Sequence, residues 1–116
     1  MMKGRHAAAA AILALSLAGC SGADFVPTGN AHYQAWGDLV QVFDKPPPVN
    51  YVRIGMLTVR GGWSETETGM IETLKSAAAR QGANAIVLVG GRQLVGRNML
   101  AMPEYEMSAV AIRTVR

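Results

Sequence analysis

Residues 51–89 read YVRIGMLTVRGGWSETETGMIETLKSAAARQGANAIVLV, and they contain a strand, a helix and a second strand in that order. The first part, Tyr51 to Arg60, is dense in β-branched and other apolar residues and closes at the glycine pair Gly61-Gly62. Such a run between turn residues predicts a strand of normal length.

The helix is predicted from its start and stop signals. The motif Ser-Glu-Thr-Glu at residues 64–67 matches a capping box, in which the Ser64 hydroxyl accepts from the Glu67 amide. We predict a helix from Glu65 to Gln81, ended by Gly82 in the left-handed conformation. Its apolar face consists of Met70, Ile71, Leu74, Ala77 and Ala78.

Two further strands are predicted after the helix. The continuous apolar run Ala85–Val89 indicates a central strand covered on both faces and ended by Gly90-Gly91. Residues 92–103 are mixed in character and allow either an irregular excursion or a strand extension with a turn near Gly96 or Asn98. From Tyr105 to Val115 the pattern alternates, which predicts a last strand.

One short strand is predicted before residue 51. The β-prone run Leu39–Phe43 is followed by three prolines within Asp44–Pro48, which supply no backbone donors and end the strand. The triplet reads as a stiff connector in preference to a polyproline ligand. The order is therefore β-β-α-β-β, an α+β fold in which about four mainly antiparallel strands carry one helix on one face.

The N-terminal residues have the pattern of an export signal. Lys3 and Arg5 precede the uncharged run Ala7–Leu17. This run has 11 residues, fewer than the roughly 18 that a membrane-spanning helix needs. We therefore predict that residues 1–19 are a secretory signal peptide.

The signal ends in Leu17-Ala18-Gly19-Cys20, which resembles the bacterial lipoprotein box. The resemblance implies that Cys20 is acylated with palmitate-type chains and becomes the first mature residue, held in the membrane by two or three chains. Ser21 follows, and in enterobacteria a residue other than aspartate there usually directs such proteins to the outer membrane. The predicted location is the cell envelope, at the outer membrane facing the periplasm.

Residues 20–36 have no helical or alternating periodicity, and they predict a lipidated cysteine followed by a flexible tether. Fully extended, such a tether reaches on the order of 50 Å. Tyr33 and Trp36 could instead dock onto the domain, and the sequence leaves both alternatives open. The folded domain is predicted to be residues 37–116.

The predicted elements from residue 39 to residue 114 resemble a group of small bacterial lipoprotein domains. The most distinctive segment is Gly-Ala-Asn-Ala-Ile at residues 82–86. The chain looks like the outer-membrane lipoproteins that sense envelope stress for the Rcs phosphorelay, and like the YbjQ-like domains. The resemblance implies the fold and the location. The Rcs sensors are stapled by disulfides and this chain has one cysteine, so their signalling role is not carried over.

Composition excludes several classes of protein. The chain is 50% hydrophobic and 16% charged, which argues against disorder. Without Lys3 and Arg5, nine of the 11 basic residues face eight acidic ones, so no nucleic-acid partner is indicated. Because Cys20 is the only cysteine, no intramolecular disulfide is expected.

No constellation of residues indicates catalysis, a cofactor or a metal cluster, so we predict that the protein is not an enzyme. His32 lies in the predicted tether, without a positioned partner. Gly90-Gly91-Arg92 lacks the Lys-Ser/Thr and the helix of a phosphate loop. One alternative uses Met99, Met102 and Met107, whose thioethers are ligands for Cu(I), in periplasmic copper handling.

The predicted fold also leaves one face of the sheet to be covered. A single helix covers one face, whereas Ala85–Val89 is apolar at every position. Residues 92–103, Tyr33 and Trp36, or a partner chain could cover the second face. We favour a partner, either another envelope protein or a second copy of this chain. The leading hypothesis is a membrane-anchored envelope lipoprotein that acts as a non-catalytic binding or sensing module.

Overall fold

A computed structural model describes residues 22–115, which form a small α+β fold with five strands and one helix. The elements are β1 (Asp24–Pro27), β2 (Gln41–Phe43), β3 (Tyr51–Gly62), α1 (Glu67–Arg80), β4 (Ala85–Arg97) and β5 (Pro103–Thr114). The strands form one mixed sheet in the order β1-β3-β5-β4-β2. β2 runs parallel to β4, and the other neighbouring strands are antiparallel.

The sheet has one strand more than the sequence predicted. Residues Asp24–Pro27, which we assigned to a flexible tether, form β1 and pair with Gly55–Thr58 of β3. Ala23 and Phe25 pack against the main core. The tether prediction for residues 20–36 is thus corrected from residue 23 onward, since a chain paired in a sheet is not free.

The glycine pair Gly90-Gly91 does not end β4, contrary to the prediction. The strand continues to Arg97, and its pairing with β5 is irregular between Val89 and Gln93. An irregular register of this kind absorbs extra residues while the two strands stay paired. The strand extension that the sequence left open is therefore confirmed.

Asn98 organises the turn between β4 and β5. Its Oδ1 accepts hydrogen bonds from the backbone amides of Leu100 at 2.9 Å and Met102 at 3.0 Å. The Asn98 amide in turn donates to the Met102 carbonyl at 2.9 Å. Side-chain bonds of this type are the usual reason for asparagine in tight turns.

The helix begins later than predicted. Its N-cap is Thr66, whose Oγ1 accepts from the Gly69 amide at 2.9 Å, so the capping box at Ser64 is wrong. A turn closed by the bond from the Glu65 amide to the Gly62 carbonyl occupies the positions before it.

The end of the helix is as predicted. Gly82 has a φ of 85°. The amides of Gly82 and Ala83 donate to the carbonyls of Ala79 and Ala78, respectively. These two bonds are those of a Schellman motif, which requires a left-handed residue at the position of Gly82.

The helix packs on the sheet through the predicted face. Met70, Leu74, Ala77 and Ala78 are buried, and Ile71 is partly buried against the same cluster. Beneath them lie buried side chains of β3, β4 and β5, among them Leu57, Ile86 and Met107. This cluster is the main core, and it lies on the helix side of the sheet.

Residues 1–19, the predicted signal peptide, and Cys20, the predicted lipidation site, lie outside the described residues. In the part of the chain that the structure describes, no helix is long and apolar enough to cross a bilayer.

Candidate functional site

The sheet face opposite α1, called the open face below, carries a row of apolar side chains that crosses all five strands. The register aligns Val26 of β1 with Met56 of β3, Met56 with Val110 of β5, Val110 with Val87 of β4, and Val87 with Phe43 of β2. Directly paired residues on neighbouring strands point to the same face. The row is therefore a continuous apolar band on one surface.

The two ends of this band differ in exposure. At the β2 end Val87 is buried together with Ala85 and Ile112, and Phe43 and Tyr51 pack against them. At the β1 end Val26 is 62% exposed and Met56 36% exposed, and in the neighbouring row Val89 is 48% exposed. We call Val26, Met56, Val89 and the partly buried Val110 the open patch.

Neither of the two intrachain covers that the sequence allowed lies over the open patch. Residues 92–103 extend the β4–β5 hairpin. Trp36 packs against the core on the helix side. The third alternative, a partner chain, stays a prediction.

Polar groups border the open patch toward the hairpin end. Thr58 and Ser108 lie in the next row, with their hydroxyl oxygens 3.2 Å apart. Beyond them Arg60 Nε donates to Glu106 Oε2 at 3.0 Å. An apolar centre with a polar rim is the arrangement typical of protein interfaces.

The segment before β2 is held by cation–π contacts between Arg113 and two aromatic rings, a group of three residues that we call the Arg113 cluster. The Arg113 guanidinium lies 4.6 Å from the ring centroid of Trp36 and 5.2 Å from that of Tyr33. The Trp36 amide donates to the Ala79 carbonyl at 2.7 Å, and its indole Nε1 donates to the Leu39 carbonyl at 3.1 Å. Of the two alternatives, docking of Tyr33 and Trp36 is thus what the structure has.

His32 lies on the surface beside this cluster. It is exposed and lines an open cavity of about 200 Å³, together with Phe25, Tyr33 and Arg80 among others.

The three methionines of the copper alternative are not brought together. Met107 lies in the main core at 1% exposure, beneath α1. Met99 is fully exposed in the hairpin turn, and Met102 is partly buried at the end of that turn. Two of the three sulfurs thus lie in opposite environments, one in the core and one in solvent. Among the described residues no group of three or more His, Cys, Asp or Glu side chains is placed to hold a metal ion.

The segment Gly90-Gly91-Arg92 lies within a strand, where its backbone is part of the hairpin. The Arg92 side chain contacts both the sheet and the loop before α1. Its guanidinium stacks 4.1 Å from the ring centroid of Tyr105 and donates to the Glu65 carbonyl. It therefore ties the loop before α1 to the sheet.

Comparison with protein-family models, with curated proteins and with solved structures finds no match to this chain. The resemblance to the Rcs-sensing and YbjQ-like lipoprotein domains stays a prediction.

Sequence reasoning predicted an apolar second face of the sheet, but it did not find the residues of the open patch or the Arg113 cluster. Val26 and Met56 lie in segments far apart in the chain, and only the β1–β3 register makes them neighbours. A signal for the Arg113 cluster was available, since Tyr33 and Trp36 are large aromatic residues in a segment otherwise read as a tether.

Proposed function

We propose that this protein is a lipid-anchored component of the bacterial cell envelope, acylated at Cys20 and held at the outer membrane facing the periplasm, where its domain binds a protein partner without catalysis. The observation that carries the proposal is the sequence Leu17-Ala18-Gly19-Cys20, placed directly after a cationic start and an 11-residue apolar run. Cysteine is the required residue because its thiolate is alkylated to a thioether, which resists hydrolysis.

The open patch supports the binding role. It presents exposed apolar side chains beside the Thr58 and Ser108 hydroxyls on a regular sheet surface. Apolar surface that stays in water without a cover is unfavourable by about 25 cal/mol per Å², so covering it would favour association. The partner is another envelope protein or a second copy of this chain.

Acylation is tested by metabolic labelling with an alkyne analogue of palmitate in a bacterial host. The wild-type protein should take up the label and remain in the membrane fraction, whereas Cys20→Ser should lose both properties. Ser21→Ala serves as the matched control, because it changes the neighbouring residue and keeps the thiol. Equal labelling of wild type and Cys20→Ser would overturn the proposal.

The location is tested in an enterobacterial host by separating inner and outer membranes on a density gradient. The wild-type protein should sediment with the outer membrane, and Ser21→Asp should shift it to the inner membrane. Recovery of the wild type with the inner membrane contradicts the outer-membrane assignment.

The binding role is tested first for self-association, by sedimentation velocity of the lipidated protein in detergent over a wide concentration range. A concentration-dependent increase in mass that Met56→Glu abolishes would support a second copy as the partner. Leu39→Glu is the control, because Leu39 is also an exposed apolar residue, more exposed than Met56, but lies outside the open patch. If the protein stays monomeric, crosslinking in intact cells from the Met56 position tests for a different envelope protein. No crosslinked product from that position contradicts a partner at the open patch.

A further inference from the structure

The turn of the β4–β5 hairpin presents a run of apolar side chains to solvent. Met99 is fully exposed and Leu100 is 82% exposed, the highest values among the large apolar side chains of residues 22–115. Ala101 and Met102 continue the run. We call residues 99–102 the hairpin tip. It is an exposed apolar surface separate from the open patch, and adjacent exposed apolar side chains are typical of interaction sites.

The backbone of the hairpin tip is hydrogen-bonded within the turn itself. The Ala101 amide donates to the Asn98 carbonyl at 2.9 Å, and the amides of Leu100 and Met102 donate to Asn98 Oδ1. The carbonyls of Met102 and Ala101 accept from the Asn98 amide and from Arg97 Nη1, each at 2.9 Å. Polar groups that leave water cost free energy unless they are hydrogen-bonded. These bonds therefore lower the cost of moving the turn out of water.

One cationic side chain lies at the base of the hairpin tip. Arg97 is exposed, and the six residues between it and Glu104 carry no charge. The guanidinium has five N–H donors, more than its bond to the Ala101 carbonyl uses. Arginine beside exposed apolar residues is suited to the interface of a bilayer, where the cation meets lipid phosphates and the apolar groups meet acyl chains.

The shape of the hairpin tip favours a lipid surface over a protein. The tip is the convex end of a hairpin, and β3 beside it ends at Gly62, which pairs with Glu104. A protein partner would need a concave pocket that matches this end, whereas a bilayer interface adapts to a protruding apolar group. The flat open patch is the surface that suits a protein.

The predicted lipid anchor brings a bilayer close to the domain. Cys20 lies four residues before Asp24, so their Cα atoms are at most about 14 Å apart. Asp24 pairs with Thr58, and β3 continues from Thr58 toward Gly62 at the hairpin end of the sheet. One attachment point leaves the domain free to rotate on the membrane. A second contact therefore needs apolar and cationic groups of its own.

We propose that the hairpin tip is a second membrane contact, which inserts the side chains of Met99 and Leu100 at the boundary between lipid headgroups and acyl chains. Insertion is shallow, because an irregular turn stays at the interface and does not enter the centre of a bilayer. The anchor keeps the tip at a high effective concentration beside the lipid, so two large apolar side chains suffice. This inference rests on the proposed acylation of Cys20.

The experiment uses the full acylated protein reconstituted in phosphatidylcholine vesicles. Acylation blocks the Cys20 thiol, so one introduced cysteine is the single thiol that an environment-sensitive fluorophore can label. Met99→Cys places the label on the hairpin tip. Gln93→Cys places it on the same hairpin, about 13 Å before Arg97 along the strand. Both side chains are exposed, and the probe is quenching by phosphatidylcholine with a spin label on the acyl chain near the headgroup.

We expect a blue-shifted emission at position 99 and quenching several-fold stronger than at position 93. Leu100→Asp in the Met99→Cys protein should remove most of the quenching, because a carboxylate stays in water. Leu39→Asp is the matched control, since it places the same charge at an apolar residue that is 73% exposed and lies outside the hairpin. It should leave the quenching unchanged.

Three results overturn the inference. The first is equal quenching at positions 93 and 99. The second is quenching at position 99 that Leu100→Asp does not lower, or that Leu39→Asp lowers equally. The third is a blue shift at position 99 without quenching by the acyl-chain spin label, which would show a protein contact in place of lipid.

Flotation of the same samples distinguishes failure of the inference from failure of the proposed function. A protein that does not float with the vesicles lacks the anchor, which overturns the proposed function and the inference together. A protein that floats but gives no acyl-chain quenching at position 99 is anchored, and it overturns the inference alone.

Discussion

The guanidinium of Arg113 lies 4.6 Å from the centroid of the Trp36 ring, although the two residues belong to opposite ends of the described chain. Arg113 Nη1 also donates to the Gly82 carbonyl at 2.9 Å. One side chain of the last strand therefore holds both the segment before β2 and the C-terminal end of α1. This contact explains why residues that lack any periodicity are nevertheless part of the folded domain.

Replacing Arg113 should loosen that segment. Arg113→Ala removes the stacking on Trp36 and Tyr33 and the hydrogen bond to Gly82, and we expect a loss of about 1–3 kcal/mol in the free energy of unfolding. Chemical denaturation followed by tryptophan fluorescence measures it. Arg97→Ala is the control, since the bond that Arg97 makes within residues 22–115 is to the Ala101 carbonyl of its own exposed turn. An equally small effect of both changes would contradict the structural role of Arg113.

The docking of β1 depends on the absence of a side chain at Gly55. A Cβ atom there would lie 2.6 Å from the Val26 carbonyl oxygen and 2.7 Å from Phe25 Cζ. Gly55→Ala should therefore displace β1 and cost about 1–3 kcal/mol. We expect faster amide hydrogen exchange at residues 24–28. Gly62→Ala, on the same strand with nothing within 4 Å of its Cβ position, should leave that exchange unchanged.

Alanine substitutions at Gly82 and Gly90 separate two effects of an added methyl group, which are backbone strain at positive φ and steric overlap with neighbouring atoms. Both have positive φ, 85° and 73°, so alanine is strained at each by roughly 1 kcal/mol or more. At Gly82 a Cβ would also lie 2.8 Å from the carbonyl oxygens of Tyr33 and Gln34, whereas at Gly90 it meets only the Gln93 side chain at 3.3 Å. We expect Gly82→Ala to destabilise the protein clearly more than Gly90→Ala in thermal unfolding. Equal melting temperatures for the two variants would show that the packing of Tyr33 and Gln34 adds nothing.

Leu74 is the fully buried centre of the helix face. Leu74→Ala should lower the free energy of unfolding by roughly 2–5 kcal/mol, because truncation leaves a cavity in the main core. Ser76→Ala, two positions along the same helix on an exposed site, should change it by less than about 0.5 kcal/mol. If urea denaturation shows that Leu74→Ala lowers the free energy of unfolding by well under 1 kcal/mol, the burial of this helix face is contradicted.

The methionine segment gives a prediction about copper. Because Met107 is buried in the core, Met99 and Met102 are the sulfurs of the trio that solvent reaches. We expect Cu(I) titration under reducing conditions to give the same weak binding for the wild type and for Met99→Ala/Met102→Ala. A tenfold or larger loss of affinity in the double variant, about 1.4 kcal/mol, would support copper handling.

The sequence by itself determined the elements whose signals are local. The β-branched run of β3, the apolar face of α1 and the alternation in β5 each follow from residues a few positions apart. Gly82 ends the helix because a left-handed residue is needed there. The exception was the helix start, where Ser64 and Thr66 both offer a capping hydroxyl and the turn from Gly62 to Glu65 selects Thr66.

Tertiary structure alone decided the pairings between distant segments. Asp24–Pro27 has no strand pattern and becomes β1 because Gly55 leaves room for Phe25. β2 runs parallel to β4, a partner that lies beyond β3 and α1 in the chain. β4 continues beyond Gly90-Gly91 because β5 supplies pairing partners for the residues that follow the two glycines. In each case the deciding interaction lies outside the segment itself, and a local pattern cannot report a partner that only the folded chain brings near.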